Sequence, residues 1–215
     1  YGSAVADAFE TEFRALGGEI YARESSDRWT DLDSFPGGYS AQGIDCVALG
    51  GVFDNFGAQF FRDKVATLGT NLSVPLLGPD GFTGYPELVE LPAANDMLMT
   101  YAGEGSVSVV LKNSKSAGRL ANAYRQKYRK ALSSTYSLYA VAALQVVLAA
   151  IEKSNGTRRS IVSSVFKKGI TIPARLSTLS KGFTIATDTG DVSLRTITVE
   201  RISNNSEEYL FSFDL

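Results

Sequence analysis

Two loops carry the residue types best suited to hold a small molecule. They are Gly50-Gly51-Val52-Phe53-Asp54 and Gly78-Pro79-Asp80-Gly81-Phe82, and each directly follows an apolar run, residues 44–49 and 74–77. In an open α/β sheet, ligands bind outside the carboxyl ends of the strands, which is where such loops sit. The glycines allow a sharp turn or a close backbone approach, and Phe53 and Phe82 each add a ring that can pack on an apolar group. Asp80 adds a carboxylate. Covered from water, it could hold a cationic ammonium by a charge-assisted hydrogen bond worth about 1.5–3 kcal/mol. The alternative is plain turn chemistry: Pro-Asp-Gly is a common turn, and spacing alone favours that reading, just as strand termination accounts for the glycines. Neither loop has the Lys-Ser/Thr ending or three-glycine fingerprint of a phosphate site, so nucleotide binding has little support.

What is absent narrows the chemistry further. There is no histidine in 215 residues, which removes the usual general base, the usual metal ligand and every Ser-His or Cys-His arrangement. The single cysteine, Cys46, lies in the apolar run 44–49 and reads as a buried strand residue. Asp188 and Asp191 flank Gly190 in a turn and supply too few oxygens for a cation, so no metal site and no cofactor are expected. Lys and Arg total 21 against 23 Asp and Glu, without a basic run, so nucleic acid is not an expected partner. The longest apolar stretch, residues 138–151, is interrupted only by Gln145 and is shorter than the roughly 20 residues a membrane span needs; it reads as a buried helix. Three Asn-x-Ser/Thr triplets, at Asn71, Asn155 and Asn204, match the glycosylation pattern, which is frequent by chance.

The elements that must position these loops follow from periodicity. Val5, Phe9, Phe13 and Leu16 line one face of a helix over residues 3–16, with Ser3 as N-cap and Gly17-Gly18 as the stop. Residues 19–23 read as a short strand, and Trp29 and Leu32 suggest a helical turn in the polar stretch 25–42. Residues 44–49 look like a strand buried on both faces, residues 55–68 a helix, residues 74–77 a strand and residues 97–101 another. This alternation predicts a parallel α/β sheet. Helices are expected over 116–131, 135–153 and 159–168. The tail, 182–213, alternates apolar and polar residues around two turn clusters and predicts short antiparallel strands. Tyr124, Tyr128, Tyr136 and Tyr139 read as core packing, and Lys127, Arg129 and Lys130 as a solvated helix face.

Taken in order, Tyr1-Gly2, Gly50-Gly51-Val52-Phe53, Leu77-Gly78-Pro79-Asp80-Gly81-Phe82, Tyr124-x-x-x-Tyr128 and Tyr139-Ala140 through Ala150-Ile151-Glu152-Lys153 resemble the type I periplasmic binding proteins of the leucine/isoleucine/valine-binding family. The resemblance implies an α/β fold of two lobes, parallel sheets flanked by helices, joined by three crossings and incomplete at the N-terminus. Residues 1–103 would form most of the second lobe, 104–185 would return to the first, and 186–215 would cross again. It further implies a non-enzymatic, extracytoplasmic carrier, periplasmic or attached to the cell surface. Such a carrier captures a small molecule, an amino acid, between its lobes for import by a membrane permease or for a sensor partner. By resemblance Tyr1 contacts the ligand and Asp80 receives its α-ammonium group; Val52, Phe53, Gly81 and Phe82 of the two loops are the other expected ligand residues. Val52 departs from the pattern, because branched-chain binders carry an aromatic residue directly after Gly-Gly, so the side-chain pocket is altered. The family's first-lobe sheet and its carboxylate-binding loops would lie before Tyr1. Two alternatives share this plan: the ligand-sensing domain of a receptor or regulator, and an α/β enzyme working with carboxylates.

Overall fold

A computed structural model describes residues 1–25, 43–132 and 134–215. The turn expected at Trp29 and Leu32 lies outside them. The chain divides into two compact units, one of residues 1–101 and 199–211 and the other of residues 102–198 and 212–215, so the backbone passes between them three times.

The first unit opens with helix α1 (Gly2–Ala15). It starts one residue earlier than expected, so Ser3 sits inside the helix and does not cap it. Gly17, in the left-handed region at φ 88°, ends it by letting Gly18 N–H return to the Phe13 carbonyl at 2.8 Å. The strand expected at residues 19–23 does not form: among the described residues this stretch joins no ladder. Instead Arg23 pairs with Asp7 at 2.6 Å and Glu10 at 3.1 Å, laying the segment along α1.

Strands β1 (Val47–Ala48), β2 (Leu76–Gly78) and β3 (Leu98–Ala102) are parallel neighbours, and β6 (Thr196–Ser203) and β7 (Ser206–Asp214) complete the order β1-β2-β3-β6-β7. The apolar run 44–49 predicts a strand covered on both faces, but among the described strands β1 lies at one edge and Ala48 is exposed. Helix α2 (Phe53–Leu68) begins two residues before the predicted start. Its N-terminus forms where the Asn55 side-chain oxygen accepts from Val52 N–H at 3.4 Å, and Gly57, at φ 66°, breaks its regularity. Its Phe53, Phe56, Phe60 and Phe61 pack with Phe82, Leu76, Leu88, Met97, Met99 and, from β6, Ile202. Fully burying each such side chain is worth about 1.5–3 kcal/mol.

One core residue has no counterpart in the pattern of apolar positions. Lys64 is completely buried, and its ammonium donates to the carbonyls of Gly69 (3.0 Å), Thr70 (3.3 Å) and Val74 and to Asn71 Oδ1 (2.9 Å). Asn71 in turn donates to the carbonyls of Ala93 (3.1 Å) and Asn95 (2.8 Å), so one cation ties the α2–β2 loop to the approach of β3. Buried in this way, Asn71 is no site for a glycan. Burial pushes the Lys64 ammonium down to about 8.

The second unit holds α4 (Val107–Asn113), α5 (Lys115–Tyr128), α6 (Tyr136–Glu152), α7 (Arg158–Phe166) and the antiparallel pair β4 (Ile170–Ile172) and β5 (Phe183–Ile185); the four-residue helix α3 (Pro86–Val89) belongs to the first. The sequence reading has no counterpart for α4 or β4. Ser114 caps α5, accepting from Ala117 N–H at 3.1 Å. The core is Val110, Ala117, Leu138, Ala142, Ala150, Ile170, Ile172, Leu179 and Phe183. Helix α6 is not the buried helix expected: it packs by one side only, and Leu144, Val147, Leu148 and Ile151, spaced i, i+3, i+4, i+7, stay between 42% and 53% exposed. The tyrosine series divides as well. Tyr139 packs against the core, whereas Tyr128 and Tyr136 are exposed. No helix among the described residues is long and apolar enough to cross a membrane.

Candidate functional site

Glycine lets three separate backbone segments meet at the carboxyl ends of β1 and β2. A Cβ on Gly50 would lie 2.3 Å from the Gly2 carbonyl oxygen, and one on Gly81 would lie 2.2 Å from the Gly51 carbonyl oxygen and 2.9 Å from Val52 Cγ1. Real Cβ atoms do not approach backbone oxygens so closely, so only glycine allows the start of α1, the β1–α2 loop and the β2–α3 loop to touch. The side chains beside these glycines converge. The Tyr1 hydroxyl donates to Asp80 Oδ1, joining the start of α1 to the 3₁₀ turn Asp80–Phe82.

The turn that carries Asp80 is held from several directions. Pro79 leads into it, Phe82 N–H donates to the Pro79 carbonyl at 3.1 Å, and both Thr83 N–H (3.0 Å) and Thr83 Oγ1 (2.9 Å) donate to the Asp80 carbonyl. Gly84 N–H donates to Glu207 Oε1 of β7 at 2.6 Å. Tyr85 packs on Phe53 with ring centroids 5.1 Å apart and donates its hydroxyl to Asp54 Oδ2 at 3.4 Å.

The six expected ligand residues fall into two layers. Tyr1, Val52, Asp80 and Gly81 are exposed or half-buried, with Tyr1 at 64% exposure. Phe53 and Phe82 are buried: Phe82 is fully enclosed, 5.5 Å from the Phe56 ring centroid and 6.3 Å from that of Phe61. Their rings build the floor behind the loops. The surface layer therefore presents a carboxylate, a phenol, an aliphatic side chain and closely packed glycine backbone. That set can accept hydrogen bonds from a cation and cover an apolar group.

Two further carboxylates lie in this unit without any signal in sequence. Glu200 of β6 is 2% exposed, its Oε2 has no hydrogen-bond partner among the described residues, and burial, with Glu207 nearby, pushes it up to about 7. Burial likewise raises Glu207, while the hydrogen bond from Gly84 N–H opposes the rise. Among the described residues no group of three or more His, Cys, Asp or Glu could hold a metal ion. Cys46 is half-buried, and burial raises its thiol.

A mostly parallel sheet with a glycine-built site at its strand ends, and three passages between two α/β units, define part of the type I periplasmic binding protein fold. Solved structures bear this out. A leucine-binding protein from Thermotoga maritima superposes with a TM-score of 0.71 at 19% identity, covering 100% of this chain and 57% of its own. A solute-binding protein of an ABC transporter from Rhodopseudomonas palustris, in complex with p-hydroxybenzoic acid, gives 0.65 at 16% identity, covering 99% and 57%. A leucine-, isoleucine-, valine-, threonine- and alanine-binding protein from Brucella ovis in its closed conformation gives 0.57 at 10% identity, covering 100% and 55%. The chain thus spans a little over half the length of these structures, and at such identities the likeness is one of fold. No family model matches the sequence, and neither does any curated protein.

Proposed function

We propose that the protein is an extracytoplasmic solute-binding protein that captures a small molecule for a membrane transporter and does no chemistry on it. The observation that carries this reading is the convergence of Tyr1, Val52, Asp80 and Gly81 at the strand ends, built on the close approach of Gly2 to Gly50 and of Gly51 to Gly81. Asp80 favours a solute with an ammonium group, hence an amino acid, bound through a charge-assisted hydrogen bond with Tyr1 as the neighbouring hydroxyl. Phe53 and Phe82 shape the site from behind. The solute stabilises the conformation it occupies by its differential affinity, and that conformation is what a permease or a sensor partner recognises.

A second ligand reading comes from the neighbours. Solute-binding proteins with the same fold hold benzoate and p-hydroxybenzoic acid, so an aromatic acid is the competing class. The two make opposite demands on Asp80, which attracts an ammonium and repels a carboxylate. Thermal melts of the protein with a panel of amino acids and hydroxybenzoates separate them. An amino acid should raise the melting temperature, and Asp80→Asn should abolish most of that rise. Stabilisation by hydroxybenzoates alone, undiminished or enhanced in Asp80→Asn, selects the second reading. Stabilisation by neither class removes both.

A further inference from the structure

We infer that Glu207, a residue of the β6–β7 hairpin far from the strand-end loops in sequence, is a positioning residue for Asp80 and thereby for solute affinity. This rests on the solute-binding reading above. Gly84 closes the turn that starts at Asp80, and its backbone is in the left-handed region at φ 82°. Beyond its chain neighbours a Cβ there would meet no atom within 4 Å, so Gly84 lies between the two packed side chains of this segment, Phe82 and Tyr85, without a packing contact of its own. What holds Gly84 itself is polar: Glu207 Oε1 accepts its N–H at 2.6 Å.

One residue back, Thr83 uses both its N–H and its hydroxyl on the Asp80 carbonyl. A pull on Gly84 is therefore transmitted through a short hydrogen-bonded turn to the residue whose carboxylate meets Tyr1. The side-chain hydrogen bond from Tyr85 to Asp54 is longer at 3.4 Å, and with the packing of Tyr85 on Phe53 it holds the segment toward α2. Glu207 alone among these tethers comes from the C-terminal hairpin. Glu207 is half-buried, and a carboxylate acceptor makes a stronger bond than a neutral one.

The test needs no solute and so stands apart from the question of what the protein binds. Hydrogen exchange on the 215-residue chain reads the turn, and the ¹³Cζ shift of Tyr1 reads its bond to Asp80, with Asp80→Asn giving the shift of the broken bond. Glu207→Ala should speed exchange of the Thr83 and Gly84 amides at least tenfold and move the Tyr1 shift at least halfway to the Asp80→Asn value. Exchange at Leu77 and Met99 in the sheet should stay unchanged. Glu207→Gln keeps an oxygen acceptor and should restore both readouts to near wild type. If Glu207→Ala leaves Tyr1 at its wild-type shift, or if Glu207→Gln behaves like Glu207→Ala, the proposal is overturned. Loss of sheet protection in Glu207→Ala would equally overturn it, since the residue would then hold the fold and not the turn.

Discussion

The Tyr1 hydroxyl donates to a carboxylate oxygen of Asp80, 79 residues further along the chain. One residue stands at the head of a helix and the other in the turn after a strand, and neither has a local reason to meet the other. Their contact exists because Gly2 lies against Gly50 and Gly51 against Gly81.

This pair should separate binding from folding. Removing the charge in Asp80→Asn should weaken amino-acid binding by about 10- to 100-fold, the range for a hydrogen bond to a charged group, and Tyr1→Phe by several-fold. Both side chains lie at the surface, so unfolding free energies should change by less than about 1 kcal/mol. Calorimetric titration and urea melts check the two halves of this statement.

Gly81→Ala attacks the framework itself. The new methyl meets the Gly51 carbonyl oxygen, a backbone atom that cannot swing aside, so the two loops must part. A loss of about 1–3 kcal/mol in urea unfolding is expected, with weakened Tyr1–Asp80 contact. An alanine variant as stable as wild type would show that the loops are not packed as described.

Lys64→Met should be costly although it replaces a buried charge with an apolar group. Three carbonyls and Asn71 Oδ1 would be left without their donor, and the expected loss is about 1–3 kcal/mol for the acceptors that water cannot reach. Denaturant melts measure it.

Glu200 makes stability depend on pH. Its folded value, about 7, lies above its ordinary 4.5, so the folded state holds a proton that the unfolded state has released. Stability from this group therefore falls as pH rises from about 4.5 to 7 and is level above 7, by up to roughly 3 kcal/mol. Glu200→Gln should be more stable than wild type at pH 8 and should lose that advantage at pH 4.5, as read from melts at the two values.

The apolar stripe of α6 predicts behaviour in solution. Leu144→Glu with Leu148→Lys places an oppositely charged i, i+4 pair on an exposed face, so the melting temperature should hold or rise slightly. Light scattering and dye binding should both decrease, because apolar surface is removed from water contact. A collapse of the fold in this variant would mean that these side chains are packed and not exposed.

Much of the first unit was legible in local pattern. The apolar runs before Gly50 and Gly78 mark strand ends, the aromatic spacing of residues 56–68 marks a helix, and Asp80 stands out as a carboxylate in a glycine turn. The short strands were harder to read. Residues 170–172 and 183–185 make a ladder only because they find each other, and three residues carry too little periodicity to announce a strand. The expected strand at 19–23 joins no ladder among the described residues, where Arg23 ties the segment to α1 through Asp7 and Glu10.

By itself, then, the sequence determined the class of fold, the loops worth examining and the lack of histidine chemistry, because these depend on residue type and on spacing within an element. The tertiary structure alone decided which residues meet. It sent Phe53 and Phe82 inward and Tyr1 to Asp80, left one face of α6 in water, and buried Lys64 and Glu200. It also brought Glu207 to Gly84 across 123 residues. Burial and long-range contact are properties of the packed whole, and no window along the chain is wide enough to contain them.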